Sequence, residues 1–418
     1  MATPELHLTT RGVQVGAAEA KVAVESSGGL LLLTESFGGS QFRGALVGLF
    51  ACDPQGQLAM CFNGVLDVTC GREVKVTGAV GALCSMRKRG LCVSENQQGV
   101  GGTSSWKLCT LTPSTAVALF FEVVNQHTTP IPAAQPFFLQ FTLEYVHSSG
   151  QRRVRVATCA RRWLGASQGP ELLQGFDQEA AAVLVARLAA FKAGQEEMAD
   201  ILRWVDQLLV RAAARFGEYE KNEPASFRLS SHLSLLPHFF YHLRRSPLLQ
   251  TANSSPDETA FFRSALNRET VGNSLLIIQP TLLSYSFEAP PRATLLDVAS
   301  IAPDCILLLD SFFTVVVHHG ASIAQWRAMG YHRQPEHEAF RRLLESAMTD
   351  AEALVKERLP SPHLVVCDQN GSQARFLLAK LNPSSTHNNR VGSQEVIYTD
   401  DVSLEAFTMY LQKLAVQG

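Results

Sequence analysis

Leu139, Phe141, Leu143 and Tyr145 alternate with Gln140, Thr142 and Glu144, and His147-Ser-Ser-Gly-Gln151 then leads into Val154 and Val156. Side-chain character with a period of two is that of an extended strand, so this stretch predicts a β-hairpin with one buried face. Val74 and Val76 alternate with Lys75 and Thr77 in the same way, and glycine clusters separate the runs, which makes residues 61 to about 165 a β-sandwich. From about 170 to 280 the period lengthens. Ile201, Trp204, Val205, Leu208, Leu209 and Ala212 fall at i, i+3, i+4, i+7, i+8 and i+11, one broad apolar stripe along a helix. Ser255-Pro-Asp-Glu258 supplies an N-cap serine, a proline in the first turn and a carboxylate three residues on, a capping box that opens another helix of an all-helical domain. Over residues 281–418 the pattern predicts strands at 293–296, 304–309, 313–318, 363–367 and 374–379, with helices around 321–329 and 336–357. A last helix follows, with Asp400 and Asp401 at its positive end and Phe407, Tyr410, Leu411 and Leu414 as its buried face. Residues 1–60 give few strong signals beyond a strand at 30–33 and a helix from 40 to 50. The fold class is multidomain α+β.

At 418 residues with 46% apolar residues, the chain has ample material for two or three cores. A net charge of −2 argues against bulk nucleic-acid binding, so an anionic partner has to be met by a local basic patch. No apolar run approaches the length of a bilayer span, and the N-terminus lacks the basic-then-apolar pattern of a secretory signal, which points to a cytosolic or peripheral protein. The nine cysteines form no C-x-x-C pair and no cluster with zinc-ligand spacing, so they read as free thiols, and neither metal nor cofactor is expected.

No phosphate-binding P-loop and no nucleophile elbow is present, and Gly99-Val-Gly-Gly102 reads as a glycine-rich loop between strands. His318-His319 ends an apolar strand without a carboxylate or thiol at metal spacing, and reads as a satisfied or surface pair. Arg152, Arg153, Arg155, Arg161 and Arg162 put five arginines within eleven residues, with Arg153 and Arg155 on one strand face. They form either a solvated strand face or a contact with anionic lipid headgroups, each nearby cation contributing about 1 kcal/mol. Arg375 lies between the Asn370-Gly371 turn and the apolar run Phe376-Leu377-Leu378, which predicts an arginine at the start of a strand, beside a turn that tolerates positive φ. Such an arginine is ordinarily solvated or salt-bridged. Projected outward, its planar guanidinium could also deliver positive charge into another protein's phosphate-transfer site.

The run Gly371-Ser-Gln-Ala-Arg-Phe-Leu-Leu378, followed by Lys380-Leu-Asn-Pro-Ser384 and Thr386-His-Asn-Asn389, resembles the C-terminal segment of the GTPase-activating inner-coat subunits of the COPII vesicle coat, the Sec twenty-three family. Further blocks similar to that family occur in its order: Gly90-Leu-Cys-Val-Ser-Glu-Asn96, Phe121-Glu-Val-Val-Asn-Gln-His127, His147-Ser-Ser-Gly-Gln-Arg-Arg153, Phe176-Asp-Gln-Glu-Ala-Ala-Ala182, Phe216-Gly-Glu-Tyr219, His242-Leu-Arg-Arg-Ser246, Ser255-Pro-Asp-Glu-Thr259, Ala324-Gln-Trp-Arg327 and Asp400-Asp-Val-Ser-Leu404. The resemblance implies a gelsolin-like fold for 281–418 and makes 1–60 the remnant of a von Willebrand A-like trunk. It implies that Arg375 is an arginine finger inserted in trans into a Sar-type small GTPase, with Gly371, Ser372, Gln373, Ala374 and Phe376 around it at the GTPase contact. The chain itself is then a GTPase activator, not an enzyme. Arg152, Arg153 and Arg155 become membrane-facing, on a coat peripheral to endoplasmic reticulum exit sites. The family's zinc ribbon has no counterpart in this sequence, and the contact with the cargo-binding sister subunit, which uses the trunk, is expected to be barely formed. A different class of function stays open: a scaffold that binds proline-rich outer-coat or cargo-receptor segments without activating anything.

Overall fold

The computed structural model describes residues 6–10, 16–34, 36–124, 131, 135–165, 168–251, 254–382 and 402–417. Among the residues used above, Asn125, Gln126, His127, 383–389, Asp400 and Asp401 lie outside the described set.

The chain opens with β1 (Leu6–Thr10), α1 (Ala17–Ser27), β2 (Leu30–Thr34) and α2 (Ser40–Leu49), β1 and β2 pairing in parallel. The sequence pattern located β2 and α2 but not β1 or α1. β2 is an uninterrupted leucine run buried along its whole length, as expected of a strand covered on both faces.

The β-sandwich follows as β3 (Cys61–Cys70), β4 (Val74–Val80), β5 (Cys84–Ser85), β6 (Ser105–Leu111), β7 (Ala118–Val123), β8 (Pro136–His147) and β9 (Arg152–Arg162). One sheet has five strands in the order β5-β6-β3-β8-β9, and the other pairs β4 with β7. Trp106, Val68, Val76, Ala79 and Leu108 fill the space between them, and the buried indole donates to the Val100 carbonyl at 3.0 Å. The glycine-rich loop lies against β4: a Cβ on Gly99 would stand 2.3 Å from the Ala79 carbonyl oxygen, so only glycine allows the approach.

The hairpin β8–β9 forms, but not with a single buried face. Its register sets Tyr145 opposite Arg153 and Leu143 opposite Arg155, while Val154 and Val156 face Glu144 and Thr142. The apolar residues of the two strands therefore point to opposite sides of the sheet. β9 is an edge strand paired only with β8, and Val154 and Val156 stand exposed.

The helical domain comprises α3 (Gly169–Gln174), α4 (Gln178–Lys192), α5 (Met198–Phe216), α6 (Leu236–Arg245), α7 (Pro256–Leu266) and α8 (Val271–Ile278). The α5 stripe is core: Ile201, Val205 and Leu209 are buried, with Trp204 and Leu208 packed against the same cluster. The capping box of α7 is present, Ser255 Oγ accepting from the Glu258 amide at 3.1 Å and the Glu258 carboxylate accepting from the Ser255 amide at 2.9 Å.

The third unit contains β10 (Thr281–Tyr285), β11 (Arg292–Ala293), β12 (Ile306–Asp310), β13 (Thr314–His319), α9 (Ala321–Ala328), α10 (Glu338–Glu357), β14 (His363–Asp368) and α11 (Arg375–Leu378), with α12 (Leu404–Gln417) closing the chain. Its sheet runs β11-β10-β12-β13-β14, antiparallel except for the parallel pair β13–β14. Ile306, Leu308, Val315 and Val317 pack against Phe340, Leu343, Ala347 and Ala351 of α10 on one face. Leu307, Leu309, Val316 and Val365 pack against Ala374 and Leu377 on the other.

Residues 374–379 are therefore not a strand. Ala374, Leu377 and Leu381 are the buried positions, a helical spacing, and they cover a sheet whose edge is already β14. The strand expected at 293–296 shrinks to β11, and β10 occupies residues before the Pro290-Pro291 pair. The last helix also departs from expectation. Leu411, Ala415 and Val416 are buried in the core of the helical domain, whereas Tyr410 and Leu414 are exposed, because the 407–411–415 line makes the contact.

Candidate functional site, an arginine on an anchored turn

β13 and β14 end side by side, His319 opposite Asp368, and the candidate finger begins where they stop. The Gln369 amide donates to the His319 carbonyl at 2.9 Å, and the Gln369 side-chain oxygen accepts from the Ala321 amide at 2.8 Å, capping the start of α9. The Gly371 amide returns to the Asp368 carbonyl at 2.8 Å, and the Ala374 amide to the Gly371 carbonyl at 3.0 Å. A 3-10 turn over Ser372–Ala374 then runs directly into α11. Gly371 has φ −80°, and Asn370 is not among the positive-φ residues, so the turn does not use the left-handed region expected of Asn370-Gly371.

An ionic clamp lies beneath the turn. Arg327 of α9 donates from Nη2 to both oxygens of Asp368 at 2.8 Å, and from Nη1 to His319 Nδ1 at 2.9 Å. Arginine only donates, so Nδ1 accepts and the imidazole is neutral. Burial and the Arg327 charge both hold His319 below its usual range, in keeping with that state. His319 Nδ1 also lies 3.2 Å from Asp368 Oδ1.

On this base Gly371, Ser372, Gln373 and Arg375 are exposed. Phe376 is half-buried, edge-on to His363 at 5.9 Å, and the Arg375 guanidinium lies 5.3 Å from the Phe376 ring centre. Ala374 and Leu377 are buried in the core. Ala374 thus anchors the turn and turns its side chain away from any partner contact, unlike its neighbours. The arrangement presents the exposed Arg375 guanidinium on a short helix rooted at two positions, Ala374 and Leu377. It is suited to delivering charge to a site on another molecule.

The meeting of Arg327, His319 and Asp368 is not legible in the sequence, since Asp368 lies 41 residues from Arg327 and 49 from His319. Only the strand signal of 313–318 beside 363–367 could have suggested the pairing. His318 is not a surface residue: it is buried, and among the described residues neither ring nitrogen meets hydrogen-bond geometry with a partner.

Arg152, Arg153 and Arg155 are all exposed on β9, in a different sheet from the one beneath Arg375. A groove of about 280 Å³ lies between α10 and the loop after β10, lined by Tyr285, Phe287, Pro291, Arg342 and Leu343. Phe287 leans toward Trp326 and Phe340, with ring centres 6.1 and 6.3 Å away, and stays half-exposed. Among the described residues no helix is long and apolar enough to cross a membrane, and no group of three or more His, Cys, Asp or Glu side chains is placed to hold a metal.

Three family models match the chain: the Sec23/Sec24 beta-sandwich domain over residues 61–164, the Sec23/Sec24 helical domain over 177–276, and the gelsolin repeat over 288–377. The chain is 52% identical over 410 residues to the protein transport protein SEC23 F of Arabidopsis thaliana, an alignment that takes in 97% of this chain and 53% of that protein. It thus spans about half the length of the curated relative it matches. The crystal structure of the human COPII-coat protein Sec24c superposes with a TM-score of 0.76 at 16% identity, covering 99% of this chain and 51% of that one, a likeness of fold.

Proposed function

Because the chain belongs to the Sec23/Sec24 family, with its β-sandwich, helical and gelsolin-like domains, we propose that it is a COPII coat component that activates GTP hydrolysis by a Sar-type small GTPase, with Arg375 as the finger. The observation that carries this reading is the exposed Arg375 on a turn fixed from below by Arg327, Asp368 and Gln369. Small GTPases hydrolyse GTP slowly because the charge that develops in the transition state is incompletely neutralised. An arginine supplied in trans accelerates the step by about 10³ to 10⁵-fold. Such an arginine has to be held in place, because misplacing a reacting group by about 1 Å costs on the order of 10²-fold. Two buried side chains and a clamped turn meet that requirement.

On this reading the protein works as a peripheral coat on endoplasmic reticulum exit-site membranes and vesicles, its exposed Arg152, Arg153 and Arg155 facing anionic headgroups. The test is to add the full chain to the GTPase preloaded with GTP. Accelerated hydrolysis supports activation, and binding without acceleration supports the second reading, a non-activating scaffold. The groove beside α10 favours that second reading, since a half-exposed Phe287 beside an open slot suits the preformed polyproline helix of proline-rich outer-coat segments.

A further inference from the structure

Two of the nine thiols meet where the sheets of the sandwich join. Cys70 is the last residue of β3, in the five-stranded sheet. Cys92 belongs to a segment laid along β4 of the other sheet: Val93 pairs in parallel with Val76, the Val76 amide donates to the Cys92 carbonyl at 2.7 Å, and the Ser94 amide donates to the Val76 carbonyl at 2.9 Å. The Cys70 thiol donates to the Val74 carbonyl at 3.1 Å and lies 4.0 Å from the Cys92 carbonyl. The Cys92 thiol is near enough to contribute, after burial, to the raised pKa of Cys70. Both thiols are free and partly exposed.

We propose that Cys70 and Cys92 form a redox-sensitive pair that closes into a disulfide when small-molecule disulfides such as oxidised glutathione accumulate, stapling the two sheets of the sandwich together. One protein thiol, as its thiolate, attacks a sulfur of oxidised glutathione, forming a mixed disulfide and expelling one glutathione thiolate. The second protein thiol loses its proton to solvent and attacks the protein sulfur of that mixed disulfide, expelling a second glutathione. The protein dithiol is oxidised and one glutathione disulfide is reduced to two thiols. Burial and the adjacent Cys92 thiol push the Cys70 thiol up to about 11, which slows attack by Cys70 itself at neutral pH.

The residues joined are 22 apart in sequence, so closure restricts the unfolded chain appreciably. It also pins the base of the exposed loop that carries Arg87, Lys88 and Arg89 beside Leu91, which is 98% exposed. Cys84 and Cys109 both approach the Ser26 carbonyl, at 3.5 and 3.8 Å, and are the natural competitors.

The test is to incubate the full chain with oxidised glutathione, measure its intact mass, and map the cross-linked peptides. The proposal requires a loss of two hydrogens, a single disulfide mapped to Cys70–Cys92, and a rise of a few degrees in the unfolding midpoint that dithiothreitol reverses. Cys70→Ser and Cys92→Ser should each remove the cross-link. Should Cys70→Ser fail to fold, Cys92→Ser decides alone, since Cys92 lies outside the sandwich core cluster. Persistence of all nine thiols, glutathione adducts without closure, or a bond mapped to Cys84–Cys109 would each overturn the proposal.

Discussion

Replacing Asp368 by asparagine removes the charge that holds Arg327 but keeps the shape of the side chain. Arg327 Nη2 reaches both carboxylate oxygens at 2.8 Å, yet the two side chains are 35% and 40% exposed, so solvent screens the pair. Screened bridges of this kind contribute about 0.2 to 1 kcal/mol. Both side chains can rehydrate when the bridge is broken, so the expected loss of stability is about 1 kcal/mol, a shift of roughly 2 to 4 °C in the unfolding midpoint. Activation should be hit harder. The Asp368 carbonyl holds the Gly371 amide and the Gly371 carbonyl holds the Ala374 amide, so a loosened Asp368 displaces the residue next to Arg375. With a displacement of about 1 Å costing on the order of 10²-fold, stimulated GTP hydrolysis should fall by about 10 to 100-fold while GTPase binding stays within a few-fold. Single-turnover hydrolysis and thermal unfolding on the same preparation give both numbers. Arg341→Ala serves as control, because it breaks more exposed ion pairs to Glu338 and Glu345 on α10, away from the turn. Wild-type hydrolysis by Asp368→Asn, or an equal loss in Arg341→Ala, would refute the clamp.

His318→Leu should stabilise the gelsolin-like unit by about 1 to 2 kcal/mol in urea unfolding, because it removes two buried ring nitrogens that meet no hydrogen-bond geometry among the described residues; a destabilised variant would show that the imidazole is satisfied in solution. Burial, reinforced by Arg245 and His238, lowers His242 from 6.5 to about 3, so between those values the unfolded chain takes up a proton that the folded one refuses. Stability should therefore fall as pH drops below 6.5, and His242→Phe should flatten the slope by about one proton, near 1.4 kcal/mol per pH unit; parallel slopes for variant and wild type would contradict this. Arg153→Glu combined with Arg155→Glu should weaken flotation with anionic liposomes, more so at low salt than at high; unchanged flotation would return these arginines to a solvated strand edge.

The elements legible in the sequence were those whose periodicity is imposed locally. The stripe from Ile201 to Leu209 and the capping box at Ser255 are satisfied within one helix, and both appear as expected. Arg375 shows the opposite case. The run Phe376-Leu377-Leu378 is apolar without alternation, so a strand and a buried helical turn look alike in sequence, and packing of Ala374, Leu377 and Leu381 on the sheet decides for the helix. The hairpin failed differently: β8 and β9 each alternate correctly, but only the register reveals that their apolar faces are opposed. Nothing in the sequence could bring Asp368 to Arg327 and His319, because that clamp exists only once β13 and β14 pair. The likeness to coat subunits was legible from blocks of residues, whereas the anchoring of the turn required the fold.

If Arg375 supplies transition-state charge to a bound GTPase, its removal should cost rate and not binding. The most direct measurement is single-turnover hydrolysis of GTP by a Sar-type GTPase with wild-type chain and with Arg375→Ala, alongside binding to the same GTPase locked in its GTP state. The variant should bind within a few-fold of wild type and lose the stimulation, a rate difference of about 10³-fold or more. Equal hydrolysis rates with the two proteins at matched occupancy would contradict it and leave the scaffold reading standing.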